Sequence, residues 1–216
     1  MILIDYINDH STEIIDWAQT TLWLAALPLV IGVLIAFPFG WLASRYKWTY
    51  PPLVSGAGIL YTIPSLVLFL VLPGILGTGI LDAINVAVAL TIYTFALLVR
   101  IIADGLSSVS QDALSAASAM GYTARQKFFG VQLPISVPVI GAGVRVASVS
   151  NVSLISVASV IGTSQLGQLF TEGFNNGSLV PVVLGLIFFI VLALLFDLLI
   201  LLGIRLLTPW RRAVAS

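Results

Sequence analysis

The chain has 216 residues, 59% hydrophobic and 8% charged, with nine Lys plus Arg balanced by nine Asp plus Glu. An ordinary soluble domain carries roughly a quarter charged residues, and a soluble fold of this length has too little interior for so much apolar side chain. A soluble enzyme, a disordered chain and a basic nucleic-acid-binding domain are therefore excluded, which leaves a polytopic helical membrane protein.

There is no Cys, so disulfides and thiolate metal sites are excluded. The first sixteen residues hold Asp5, Asp9, Glu13 and Asp16 and no Lys or Arg. A secretory signal wants a basic segment before its apolar run, so the first apolar run is expected to stay as a span. His10 stands alone and is expected in solvent.

Charge-free runs mark the spans. Residues 17–44 form the first, ended by Arg45 and Lys47. The next run is too long for one crossing, and Pro73-Gly74 with Gly77-Thr78-Gly79 divides it into a span near residues 53–72 and a loop. The third covers residues 83–103. The fourth, about residues 137–161, is rich in Ser and Gly, and the fifth covers residues 179–207, with Gly162 to Ser178 read as a polar loop before it. Each run supplies the ~20 residues needed to cross a bilayer core. The fold class expected is thus all-α integral membrane with about five transmembrane helices. The whole chain is expected to be one transmembrane domain, with a loop at residues 104–134 inside it.

Lys and Arg set the orientation, because they gather in cytoplasmic segments. With the N-terminus outside and the C-terminus inside, Arg45, Lys47, Arg125, Lys127, Arg211 and Arg212 all fall inside. Arg100 and Arg205 then sit at inner ends of their spans. The segments expected outside contain no Lys or Arg.

The loop between spans three and four is too polar for hydrocarbon. Ser108-Val109-Ser110-Gln111 and Thr123-Ala124-Arg125-Gln126 both fit the capping-box pattern. The pattern predicts a helix with Ala113, Ala116, Ala117 and Met120 on one face, then a turn at Gly121, a residue that tolerates the left-handed conformation. A second short helix is expected to run to Pro134.

Ser115-Ala116-Ala117, three residues, Gly121, nine residues, then Val131-Gln132-Leu133-Pro134 resembles the EAA loop of ABC importer permeases, with Ser115 in place of the usual Glu. The resemblance implies a coupling helix that docks on a cytoplasmic ATPase through Ser115, Ala116, Ala117, Met120, Gly121, Leu133 and Pro134. Tyr61-Thr62-Ile63-Pro64-Ser65-Leu66 and the stretch from Gly143 to Asn151 are similar to the osmoprotectant branch of these permeases, which serves glycine betaine, carnitine and choline importers. Ile161-Gly162 through Leu166-Gly167 sits where that branch has a Gly-rich turn, with Thr163, Ser164 and Gln165 replacing its small residues.

Pro64 lies mid-span, where it removes a backbone hydrogen bond and kinks the helix. Tyr61, Thr62 and Ser65 cluster beside it, and Asn151 and Ser153 mark the polar face of the fourth span. These six are the pathway candidates, with close packing inside one subunit as the alternative for each. Arg145 and Asp197 are intramembrane charges in one leaflet, and such charges usually pair; snorkelling of Arg145 is the other reading.

There is no nucleophile–base set, no metal cluster and no G-x-x-x-x-G-K-[ST] phosphate loop, so the chain is not expected to be an enzyme or to carry a cofactor. ATP and magnesium would sit on the partner ATPase. The family resemblance implies two permease chains, identical or paralogous, two ATPases and an extracytoplasmic substrate-binding protein, all at the cytoplasmic membrane, with the lipid bilayer as surroundings and no nucleic acid. Import of methionine or another small amino acid is the first alternative. A stand-alone channel or structural membrane subunit is the second.

Overall fold

A computed structural model describes residues 2–210, and the elements it assigns there are helical throughout. In chain order they are α1 (Ile2–Asp9), α2 (Ser11–Arg45), α3 (Tyr50–Thr62), α4 (Ser65–Leu76), α5 (Ala83–Ser107), α6 (Gln111–Ala119), α7 (Ala124–Lys127), α8 (Leu133–Val157), α9 (Gln168–Asn176) and α10 (Leu179–Leu207). A π-helical turn, Phe128–Gln132, joins α7 to α8, and a 3-10 turn, Ala158–Ile161, follows α8. Arg211 and Arg212 lie outside the described residues.

Four of these helical stretches are long and apolar enough to cross a membrane: α2, α5, the unit Ala124–Ile161 and α10. The bent pair α3 and α4 brings the number to five if it counts as one span. Spans three and five begin where the apolar runs are expected to begin, at Ala83 and Leu179.

α5 is the central element. It buries Val86, Leu90, Leu98, Val99 and Ile102, all 0% exposed. α2 lies along it at close range, because a Cβ built on Gly32 would stand 2.5 Å from Thr94, and one on Gly40 would stand 2.6 Å from Ile102. In hydrocarbon the lipid tails are as apolar as Leu, so helices associate through such close packing rather than through a hydrophobic drive. The core divides into two clusters, one around Leu24, Phe69, Leu90, Ile155 and Leu169, the other around Ala36, Leu98, Val99, Ile102 and Ala147.

Four expectations change. The second span is two helices rather than one kinked helix: α3 and α4 are bent by 98° at Ile63-Pro64. Proline has no N–H to give and crowds the preceding turn, so the helix stops and restarts, with Pro64 extended at φ −60°, ψ 134°. Pro73 does not break the run; it lies inside α4, which ends three residues later at Leu76 and is capped by left-handed Gly77. The stretch leading to Pro134 is not a separate short helix. It continues into span four, giving one helical unit over Ala124–Ile161. The π turn allows this, since the Leu133 N–H reaches back to the Phe128 carbonyl while Pro134 enters the first turn of α8, where its missing donor costs little. Finally, the loop after span four contains a helix, α9.

At the N-terminus α1 packs against α10, and its Tyr6 hydroxyl donates to Glu172 Oε2 on α9 at 2.8 Å. His10 is half-buried and stacks on Tyr6, ring centroids 4.3 Å apart, instead of standing free in solvent. At the other end of α2, Trp41, Tyr46 and Trp48 are exposed beside Arg45 and Lys47. Aromatic and basic side chains gathered at a span end mark the headgroup level of a bilayer.

Candidate functional site

α6 is built by its caps. Its N-cap is Ser110, whose hydroxyl accepts from the Ala113 N–H at 3.3 Å. Ser108, the expected cap, closes α5 instead and donates to the Gly105 carbonyl at 2.8 Å. The correction has a simple cause: α5 runs to Ser107, so the chain is free to start a new helix only after Val109. At the far end Gly121 takes φ +84°. Its N–H bonds the Ser118 carbonyl and the Tyr122 N–H bonds the Ala117 carbonyl, both at 3.0 Å. That pair of bonds is the Schellman closure, which uses a residue in the left-handed region. Thr123 then caps α7 with a reciprocal capping box to Gln126.

The result is a short helix and a sharp reversal between two membrane helices. Only part of the expected Ala face points inward. Ala117 is buried and Ala113 and Leu114 are half-buried, whereas Ser115, Ala116, Met120 and Gly121 are exposed. Met120 is 67% exposed. Leu133 and Pro134 are half-buried at the start of α8. From Ser115 to Gly121 the exposed residues are thus small and uncharged apart from one flexible thioether side chain, with the exposed Asp112 one turn earlier, and small residues suit close approach by another surface.

The pathway candidates separate. Tyr61, Thr62 and Pro64 are exposed and Ser65 is half-buried, all at the α3–α4 break. Thr62 donates to its own helix, to the Ile59 carbonyl. Tyr61 meets Tyr93 of α5 edge-to-face at 5.7 Å, and the Tyr93 hydroxyl donates to the Ile63 carbonyl. A carbonyl freed by a proline break is thereby satisfied. Sequence reasoning missed Tyr93, which sits in an apolar run with nothing local to tie it to residue 63.

Asn151 is 1% exposed and its Nδ2 donates to Thr94 Oγ1 at 2.8 Å. Its side chain joins α8 to α5 inside the subunit and is not open to a path. Ser153, two residues on, is exposed. Arg145 and Asp197 come together in a two-pronged contact between α8 and α10: Nε to Oδ1 at 2.6 Å and Nη2 to Oδ2 at 2.8 Å.

Past α8 the chain turns at Gly162, φ +86°. Gln165 is fully buried, and its Oε1 accepts the Gly167 N–H at 2.6 Å. The Thr21 hydroxyl on α2 accepts the Leu166 N–H at 3.0 Å. Thr163 and Gln165 are both buried, and the turn is tied to α2 by the Leu166 N–H. Among the described residues no group of His, Cys, Asp and Glu could hold a metal.

The bundle thus carries an exposed, sharply closed helix between two of its spans, and sequence comparison gives the class. Residues 28–207 match the family described as binding-protein-dependent transport system inner membrane component, and the chain belongs to that family. It is a multi-pass inner-membrane permease of ABC import systems. It is 31% identical over 197 residues to the osmoprotectant import permease protein OsmW of Salmonella typhimurium, covering 90% of this chain and 91% of that one. To the choline transport system permease protein OpuBB of Bacillus subtilis it is 26% identical, covering 96% and 94%. To the carnitine transport permease protein OpuCB of Listeria monocytogenes it is 30% identical, covering 78% and 75%. Among solved structures, the inward-facing MetNI methionine ABC transporter is similar at TM-score 0.78 and 19% identity, covering 93% of this chain and 98% of that one. That likeness is one of fold.

Proposed function

We propose that this permease forms the membrane pathway for a quaternary-ammonium osmoprotectant such as glycine betaine, carnitine or choline, driven by ATP hydrolysis on a partner. The observation that carries the substrate class is the 31% identity to an osmoprotectant permease across nine-tenths of the chain.

The N-terminus lies outside and the basic ends of α2 and α10 lie inside, in keeping with the gathering of Lys and Arg in cytoplasmic segments. The exposed face of α6, from Ser115 to Gly121, receives the ATPase, which holds ATP and magnesium. Two permease chains enclose the path, with the α3–α4 break and Tyr61 lining it. An extracytoplasmic binding protein delivers ligand to the outer end, near α9. Closure of the ATPases draws the two α6 helices together and opens the path outward; hydrolysis resets it. Substrate choice resides largely in the binding protein, where aromatic faces hold a quaternary ammonium by cation–π attraction.

Co-reconstitution with the partner ATPase and binding protein tests this. ATP-dependent uptake of labelled glycine betaine, unaffected by excess methionine, is the expected result. Uptake of methionine in preference to betaine would overturn the substrate, and a chain that purifies without any ATPase would overturn the importer assembly.

A further inference from the structure

A cavity of about 700 Å³ lies between the end of α2 and the α6–α7 reversal. Its two halves differ. Phe37, Trp41 and Phe129 give it an apolar wall on the membrane side, and Arg45, Arg125 and Lys127 give it a basic rim. No carboxylate lines it. The ion pairs found among the described residues, Arg100 with Asp104 and Arg145 with Asp197, use none of these three cations. Lys127 is held at the rim by a 2.9 Å bond from Nζ to the Ser118 hydroxyl.

We propose that this cavity binds one anionic phospholipid, with the phosphate at the Arg45–Arg125–Lys127 rim and an acyl chain along Phe37 and Phe129. Depth is the first argument. The cavity opens at the level of Trp41, Tyr46 and Trp48, where a bilayer places its headgroups. Charge is the second. Three uncompensated cations converging beside an apolar wall match a phosphate carried on a hydrocarbon tail, and basic pockets between helices at this level take such headgroups. Arg also offers paired donors to phosphate oxygens. The proposal rests on the chain spanning a membrane and is independent of the substrate.

The test is native mass spectrometry of the full chain, with whatever subunits co-purify, supplied with phosphatidylglycerol or phosphatidylcholine of matched chains. Wild type is expected to retain phosphatidylglycerol preferentially. Arg125→Gln, an exposed change, should weaken that retention about fivefold, and the Arg45→Gln/Arg125→Gln/Lys127→Gln variant about a hundredfold, with phosphatidylcholine unaffected. Equal retention of the two lipids, or unchanged selectivity in Arg125→Gln, overturns the proposal. Glycerol phosphate protecting the chain from thermal unfolding as well as phosphatidylglycerol does would assign the rim to a soluble anion and overturn the lipid. If the variants lose the ATPase while keeping lipid selectivity, the rim serves an acidic protein partner, and the proposal fails in that case too.

Discussion

Arg145 on α8 and Asp197 on α10 meet with two parallel hydrogen bonds, 2.6 and 2.8 Å, across two helices separated by fifty-two positions in the chain. Nothing else among the described residues ties these spans by charge. Asp197→Asn leaves the guanidinium without its counter-charge at membrane depth. Removing one partner leaves the other charge uncompensated, and the part exposure of this pair moderates the loss of stability. Thermal unfolding in detergent should show a drop of several degrees. Replacing both residues with Leu should restore most of it; no recovery in the double variant would show that the pair is not what holds the helices.

Gly121 can be separated from general stability. Its φ of +84° strains any β-branched residue. Gly121→Val is expected to abolish transport-coupled ATP hydrolysis while unfolding temperature falls by only a few degrees, because nothing lies within 4 Å of the added Cβ. Gly121→Asn, which tolerates that region, should retain much of the coupling. Equal activity in both variants would disconnect the turn from coupling.

The α2–α5 seam gives a test of packing. Gly32→Ala and Gly40→Ala each drive a methyl into Thr94 or Ile102. Overpacking of this kind costs about 1–3 kcal/mol. The two positions lie eight residues apart, about 12 Å along the helix, so the costs should add. Equilibrium unfolding in mixed micelles reads both.

Tyr93→Phe removes the donor that satisfies the Ile63 carbonyl at the α3–α4 break. An orphaned buried carbonyl costs about 1–3 kcal/mol. The expected phenotype is local: uptake slows and protease or exchange sensitivity rises at residues 61–66, with the other helices unaffected.

The contact between Tyr6 and Glu172 sets a pH expectation. Burial, and then the bond to Glu172, pushes the Tyr6 phenol well above its ordinary value of about 10. A raised phenol contributes stability that is complete below the unfolded value and lost as pH climbs through the folded one. Stability should therefore be flat in this contact from pH 6 to 9 and fall only in strong alkali. Tyr6→Phe, about 1 kcal/mol less stable, should abolish that alkaline component.

Particular elements show what the residues revealed and what they hid. α5 and α10 were legible because a charged or polar segment, ending at Asp82 or Ser178, gives way there to a long, largely apolar run. The turn at Gly121 was legible because both its ends are local. The 98° break was only half visible: Pro64 announces a disturbance, but its size depends on Tyr93, thirty residues away. Pro134 argued for a boundary, and the π turn at Phe128–Gln132 removed it by shifting one bond. Asn151 read as a polar group facing a path because nothing in its own helix reveals Thr94. α9 was hidden because a short polar helix has the composition of a loop.

The unbroken helix from Ala124 to Ile161 has a mechanical meaning. Its 38 residues make a strut roughly 57 Å long at 1.5 Å per residue. One end grips the reversal at Gly121 and the other ends at the Gly162 turn. A stiff strut pivoting at one end moves the other in proportion to its length, so a tilt of about 5° at the reversal displaces the far turn by roughly 5 Å. A small rotation at one end would in this way carry the other end by ångströms, without any helix having to unwind.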